Sequence, residues 1–101
     1  MRPSERLTEK IGVENLWLYV LAFLKKRDRY AYELREQVQK EFGFLPGEVT
    51  AYRVLYSLEL AGFVESREDG ARRYYKITQE GKSELAKGLG VLRSTIKKLS
   101  H

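Results

Sequence analysis

Apolar residues recur along this chain with the period of a helix over most of its length, and with an extended period over one short stretch. Ala51, Leu55, Leu58 and Gly62 return every three or four residues. The stretch after Pro46-Gly47 therefore predicts a helix with those residues on its core side, closed by Gly62. At about 100° per residue, Val49, Arg53, Tyr56 and Leu60 fall near the opposite side, flanked by Thr50 and Ser57. The rest of the chain reads as the apparatus that holds this helix.

Upstream, Arg2 to Lys10 is polar with Leu7 and Ile11 as anchors, a short helix or a frayed arm. Gly12 is expected to interrupt it, and Asn15 to cap a helix running to about Lys26. That helix carries Leu16, Trp17, Leu18, Tyr19, Val20, Leu21, Phe23 and Leu24, so it is apolar nearly all round. Either two layers of the domain sandwich it or a second subunit covers one face. The next helix is predicted from Tyr30 to Phe42, with Leu34, Val38 and Phe42 as a narrow stripe and Gly43 as its stop. The link Phe44 to Pro46 is short, which makes this helix and the central one the two arms of a helix-turn-helix.

After Gly62 the pattern turns extended. Phe63 to Glu68 and Ala71 to Ile77 flank Asp69-Gly70, a strong hairpin signal. The hairpin is expected to lean on the helices through Val64, Tyr75 and Ile77, with Arg67, Arg72 and Arg73 near its tip. Thr78 then caps a last helix to about Leu99, where Leu85, Leu89, Leu92, Ile96 and Leu99 form a heptad seam suited to a dimer helix. Gly81, Gly88 and Gly90 weaken that helix unless close packing or a bend offsets them.

The element order is that of a mainly α chain with a small β-hairpin: a winged helix-turn-helix with an added C-terminal dimerisation helix. The 101 residues are expected to form one domain, residues 14–77 the winged helix-turn-helix and residues 78–101 the dimerisation helix.

Composition narrows the class. With 19 Lys+Arg against 14 Asp+Glu the net charge is +5, which permits polyanion binding without requiring it. Cysteine is absent, so there are no disulfides or thiolate zinc sites, as in a reducing interior. The apolar run Leu16 to Leu24 is too short to span a membrane, and no signal segment opens the chain, so the expected location is the cytoplasm. His101 is the lone histidine, no Gly-rich phosphate loop is present, and no carboxylates are spaced as a metal set. Enzymatic chemistry, metals and cofactors are not expected.

At Tyr52-Arg53-Val54-Leu55-Tyr56-Ser57-Leu58-Glu59-Leu60-Ala61-Gly62 the sequence resembles the PadR family of transcriptional regulators: Tyr, two residues, Leu, two residues, Leu-Glu, two residues, Gly. The resemblance continues through Arg72 to Gly81, like that family's wing strand and the Thr-x-x-Gly opening its last helix. Tyr32-Glu33-Leu34 is similar to its Gly-Tyr-x-Leu, with Ala31 in place of the glycine. The single terminal helix is like the family's short subclass. The resemblance implies a homodimer on a palindromic double-stranded DNA operator, usually acting as a repressor, with the first and last helices forming the dimer interface.

Site expectations follow. Val49, Thr50 and Arg53 sit early on the outward side, where base edges are reached: Arg53 suits guanine, and Thr50 or Val49 a thymine methyl. The plainer alternative is a solvated surface. Tyr32 and Tyr52 are candidates for phosphate contact, with Tyr52 equally placed as a half-buried core aromatic. Arg72 and Arg73 are expected to follow the DNA backbone from the wing, or to stand as solvated charges. Trp17 belongs to the core or the dimer interface, with a stacked small-molecule effector of unknown identity as the alternative. Tyr56 and Leu60 face outward and do not suit DNA contact: either the wing or the first helix covers them, or that surface binds protein. A protein-interaction module and a nonspecific nucleic-acid binder are therefore the alternative functions.

Overall fold

The computed structural model describes all 101 residues. The chain runs α1 (Pro3–Glu14), α2 (Leu16–Lys26), β1 (Arg29–Tyr30), α3 (Ala31–Phe42), α4 (Glu48–Leu60), β2 (Val64–Asp69), β3 (Arg72–Ile77) and α5 (Gln79–Leu99).

The N-terminal stretch is helical. Pro3 stands in the first turn, where its missing N–H costs nothing. The helix continues through Gly12 instead of stopping there. The break falls at Asn15, whose backbone leaves the helical region (φ −126°, ψ 37°) and whose side chain makes no capping bond. Gly12 is the buried residue of α1, because the Phe44 ring lies against its bare backbone.

The core forms around α2. Leu21 and Leu24 pack with Leu34 and Val38 of α3, Leu55 and Leu58 of α4, Val64, Tyr75 and Ile77 of the hairpin, and Leu85 of α5. Each such side chain, fully buried, contributes about 1.5–3 kcal/mol relative to exposure. The same chain thus buries Leu16, Val20, Leu21, Phe23 and Leu24 of α2. Trp17, Leu18, Tyr19 and Ala22 stay half-covered, so one flank of α2 is not sandwiched. On α4, Ala51, Leu55 and Leu58 are buried as their spacing predicts. Gly62 is exposed and lies off that core stripe; its φ of +82° makes it the left-handed residue that ends the helix.

The sheet has three strands in the order β1-β3-β2, all antiparallel. The hairpin was legible; β1 was not, and Tyr30 belongs to it rather than to the helix that follows. Arg29 pairs with Tyr75 and Tyr30 with Tyr74. Two residues carry no periodicity, so only the fold exposes such a strand. The turn is shifted by one residue from the Asp69-Gly70 expectation. Asp69 still pairs with Arg72, leaving Gly70-Ala71 as the two-residue loop. Gly70 has φ +65° and Ala71 is not left-handed, the glycine-first arrangement of a type II′ hairpin.

Thr78 joins wing to last helix. Its hydroxyl accepts the Gly81 N–H at 3.0 Å and donates to the Gly62 carbonyl at 2.7 Å. The glycines of α5 differ in purpose. A Cβ at Gly81 would run into the Phe63 carbonyl oxygen, and one at Gly88 would lie 2.7 Å from both Leu18 and Trp17. Close approach therefore offsets their helix cost at those positions. Beyond Leu92 the helix is exposed on every side, and the molecule extends 50 × 30 × 20 Å.

Candidate nucleic-acid interface

Helix α4 begins on Gly47, which breaks the chain after buried Pro46, and its Ala51 N–H reaches the Gly47 carbonyl at 2.9 Å. The core stripe fixes its rotation, and that rotation exposes Val49 (70% exposed), Thr50, Tyr52, Arg53 and Tyr56. The preceding helix is held beside it by Arg35, whose Nε donates to the Pro46 carbonyl at 2.9 Å.

Between the start of α3, the outer side of α4 and the hairpin lies a cleft of about 390 Å³. Tyr30, Tyr32, Tyr52, Arg72, Arg73 and Tyr75 line it. Tyr32, Tyr52, Arg72 and Arg73, chosen from separate parts of the sequence, thus meet around one space. Tyr52 is half-exposed rather than a core aromatic, and Tyr32 is exposed. Val49, Thr50 and Arg53 stand on α4 outside the cleft lining.

The pleat separates the two wing arginines. Tyr75 and Ile77 point into the core, so Arg73 shares their side of β3 while Arg72 and Tyr74 share the other. On that outer side a ladder runs across the sheet. Arg67 lies 5.3 Å from the Tyr74 ring, Tyr74 meets Tyr30 edge-on at 5.5 Å, and Arg72 lies 4.4 Å from Tyr30. The Tyr74 side chain, and then the nearby Tyr30, push the Arg72 pKa above its ordinary value. Arg73 donates to Glu68 at 2.9 Å, and that hydrogen bond and the Glu68 charge raise its pKa likewise. Both guanidiniums are therefore fixed cations at any physiological pH. Burial raises the Tyr75 hydroxyl above its usual range, so it stays protonated and able to donate.

Two further contacts set the wing's position, and both eluded the sequence. Arg67 pairs with Asp28 at 2.6 Å, across 39 residues of chain, and the Ser66 hydroxyl donates to Glu59 of α4 at 2.6 Å. The one sequence signal for Glu59 was its place in the Leu-Glu of the family-like motif. Arg29 is the buried cation of the fold: its Nε donates to the Phe23 carbonyl at 3.4 Å and its guanidinium lies 5.5 Å from the Phe23 ring. Burial, first, and the Arg27 charge lower its pKa.

The seam residues divide. Leu85 is buried inside this chain, Leu89 and Leu92 are half-covered, and Ile96 and Leu99 are exposed. Trp17 is half-covered and touches the Gly88 backbone position. Two apolar grooves flank Leu18, Tyr19 and Leu92: one of about 280 Å³ toward Phe42 and Leu89, the other of about 320 Å³ toward Ile11, Trp17 and Val91. No helix is long and apolar enough to cross a membrane.

Two helices joined by a short turn, the second outward-facing and followed by an antiparallel wing, define a winged helix-turn-helix. Residues 20–87 match the transcriptional regulator PadR-like family, and the chain belongs to that family. It is a regulator and not an enzyme. A PadR family transcription regulator from Clostridium difficile is 31% identical, with a TM-score of 0.73 over 82% of this chain and 91% of that one. A transcriptional regulator from Clostridium thermocellum shares the fold at a TM-score of 0.81, with 23% identity over 90% of this chain and 95% of that one. An uncharacterised protein of Lysinibacillus sphaericus is 31% identical over 74 residues, 66% of this chain and 68% of its own.

Proposed function

We propose that the protein is a cytoplasmic, homodimeric repressor of transcription that binds a palindromic double-stranded DNA operator. The observation that carries this reading is the convergence of Tyr32, Tyr52, Arg72 and Arg73 on one cleft beside the exposed flank of α4. Tyrosine hydroxyls and guanidiniums so grouped suit a backbone phosphate. With a phosphate there, Val49, Thr50 and Arg53 are the side chains left to reach base edges in the major groove. A dimer built through Trp17, Leu89, Leu92, Ile96 and Leu99 covers apolar surface that one chain leaves open, with Leu85 supporting the helix from inside. It presents two α4 helices about 34 Å apart, one turn of duplex.

Mobility shifts against the DNA upstream of its own gene, run at several salt concentrations, test the proposal. Preference for one site with a steep salt dependence is expected. Equal affinity for all duplexes removes the operator, and no binding at low salt removes DNA.

A protein-binding role has one observation in its favour: Tyr56 and Leu60 are 64% and 72% exposed at the far end of α4. Capture of a stoichiometric protein partner by a chain indifferent to DNA is the result that selects it.

A further inference from the structure

Helix α1 is almost free of the rest of the chain. Gly12 is its buried residue and Ile11 is half-covered, while Leu7 and Val13 stand in solvent. What touches Gly12 is a ring from elsewhere: a Cβ built at that position coincides with the end of the Phe44 side chain. Phe44 lies in the turn between α3 and α4, two residues before Pro46. Its ring is also met edge-on by Tyr19 of α2 at 5.8 Å, and Tyr19 meets Phe42 at 4.7 Å. The turn is thus gripped at both ends, by Gly12 and Tyr19 on Phe44 and by Arg35 on the Pro46 carbonyl. Helix α4 starts immediately after it.

We infer that Phe44 is a positioning residue that carries the placement of α1 into the first turn of α4. The end of the ring fills the place where a Gly12 side chain would stand, so a movement of α1 toward it must turn the ring, move the turn or break the contact. A helix with so little of its own surface buried is placed by whatever else binds it. Phe44 lets that event reach the surface assigned here to DNA. Its consequence for affinity rests on the DNA-binding reading; the mechanical link does not.

The experiment is a double-mutant cycle between Gly12→Ala and Phe44→Leu. Gly12→Ala forces the ring away and is expected to weaken operator binding by about 3- to 30-fold, the range for substitutions along a coupling path. Phe44→Leu makes room for the added methyl group. The double variant is therefore expected to recover most of the loss, with sedimentation unchanged throughout. Additive losses, or a Gly12→Ala variant that binds as wild type does, overturn the inference. Hydrogen exchange supplies the second readout. In Gly12→Ala the amides from Ala51 to Leu55 should exchange faster, with those of β3 unchanged. Unchanged exchange at Ala51 to Leu55 overturns the link outright. If wild type binds no DNA but that exchange does quicken, the link stands and the DNA reading falls.

Discussion

The Arg72 guanidinium lies 4.4 Å from the centre of the Tyr30 ring, on the outer side of the wing, while its neighbour Arg73 is tied to Glu68 on the side that faces α4. Two adjacent arginines therefore rest on partners on different sides of one hairpin, while both border the same cleft. Tyr30 presents Arg72, so Tyr30→Leu and Arg72→Ala should each weaken DNA binding and the pair should not add. Fluorescence anisotropy on the single and double variants measures this; full additivity shows that the ring does nothing for the arginine.

Arg73 and Arg53 should fail in different ways. Arg73→Ala is expected to lower affinity evenly across sequences and to make the salt slope shallower by about one. Arg53→Ala should cost about 1–3 kcal/mol of discrimination at one operator position. Binding to a panel of single-base operator variants separates the two. A uniform effect of Arg53→Ala would place it on the phosphates.

The α5 glycines give opposite signs for one substitution. Gly81→Ala drives a methyl group into the Phe63 carbonyl and the Ile77 side chain, and should destabilise by about 1–3 kcal/mol. At Gly90 nothing lies within 4 Å of the added carbon, so Gly90→Ala should stabilise by about 1 kcal/mol through helix propensity. Urea unfolding reads both. Destabilisation at Gly90 would indicate that a second chain packs there.

The seam can be taken apart by position. Leu92→Lys should leave the fold intact and shift sedimentation from dimer to monomer at micromolar concentration. Leu85→Ala should instead cost about 2–5 kcal/mol of unfolding free energy, since Leu85 sits in this chain's own core. A Leu92→Lys variant that still sediments as a dimer rules out the seam as the interface.

Acid should loosen the start of α3. Burial alone would raise the Glu33 pKa, but its hydrogen bond from Arg27, the Tyr30 backbone N–H and the Arg27 and Arg29 charges together bring it below the ordinary value. A carboxylate held low in the folded state contributes stability at neutral pH, fully present above its unfolded pKa. That contribution fades as pH falls through the lower, folded value. Melting temperatures from pH 7 to 3 should therefore drop more steeply for wild type than for Glu33→Gln; parallel curves would deny Glu33 the role.

The spacing Ala51, Leu55, Leu58 oriented α4, and Thr78 with Leu85 placed α5, because a helix rotates to bury whatever repeats at its period. Gly12 misled for the same kind of reason. A glycine in a polar stretch reads as a break, and the reason for keeping it inside a helix was a ring 32 residues away, Phe44. Strand β1 was hidden because two residues have no period, and its partner Tyr74-Tyr75 lies far along the chain.

Local pattern by itself determined the order of the four helices from α2 onward and of the hairpin among them, the side of α4 that meets the core and the family to which the chain belongs, since each depends on residues close in sequence. Only the tertiary structure decided that Arg72 and Arg73 take different partners at the edge of one cleft, that Tyr30 joins the tyrosines there and that Asp28 braces Arg67. Those relationships are set by which strands pair and how the helices cross them, and contacts between distant residues leave no period for a sequence to display.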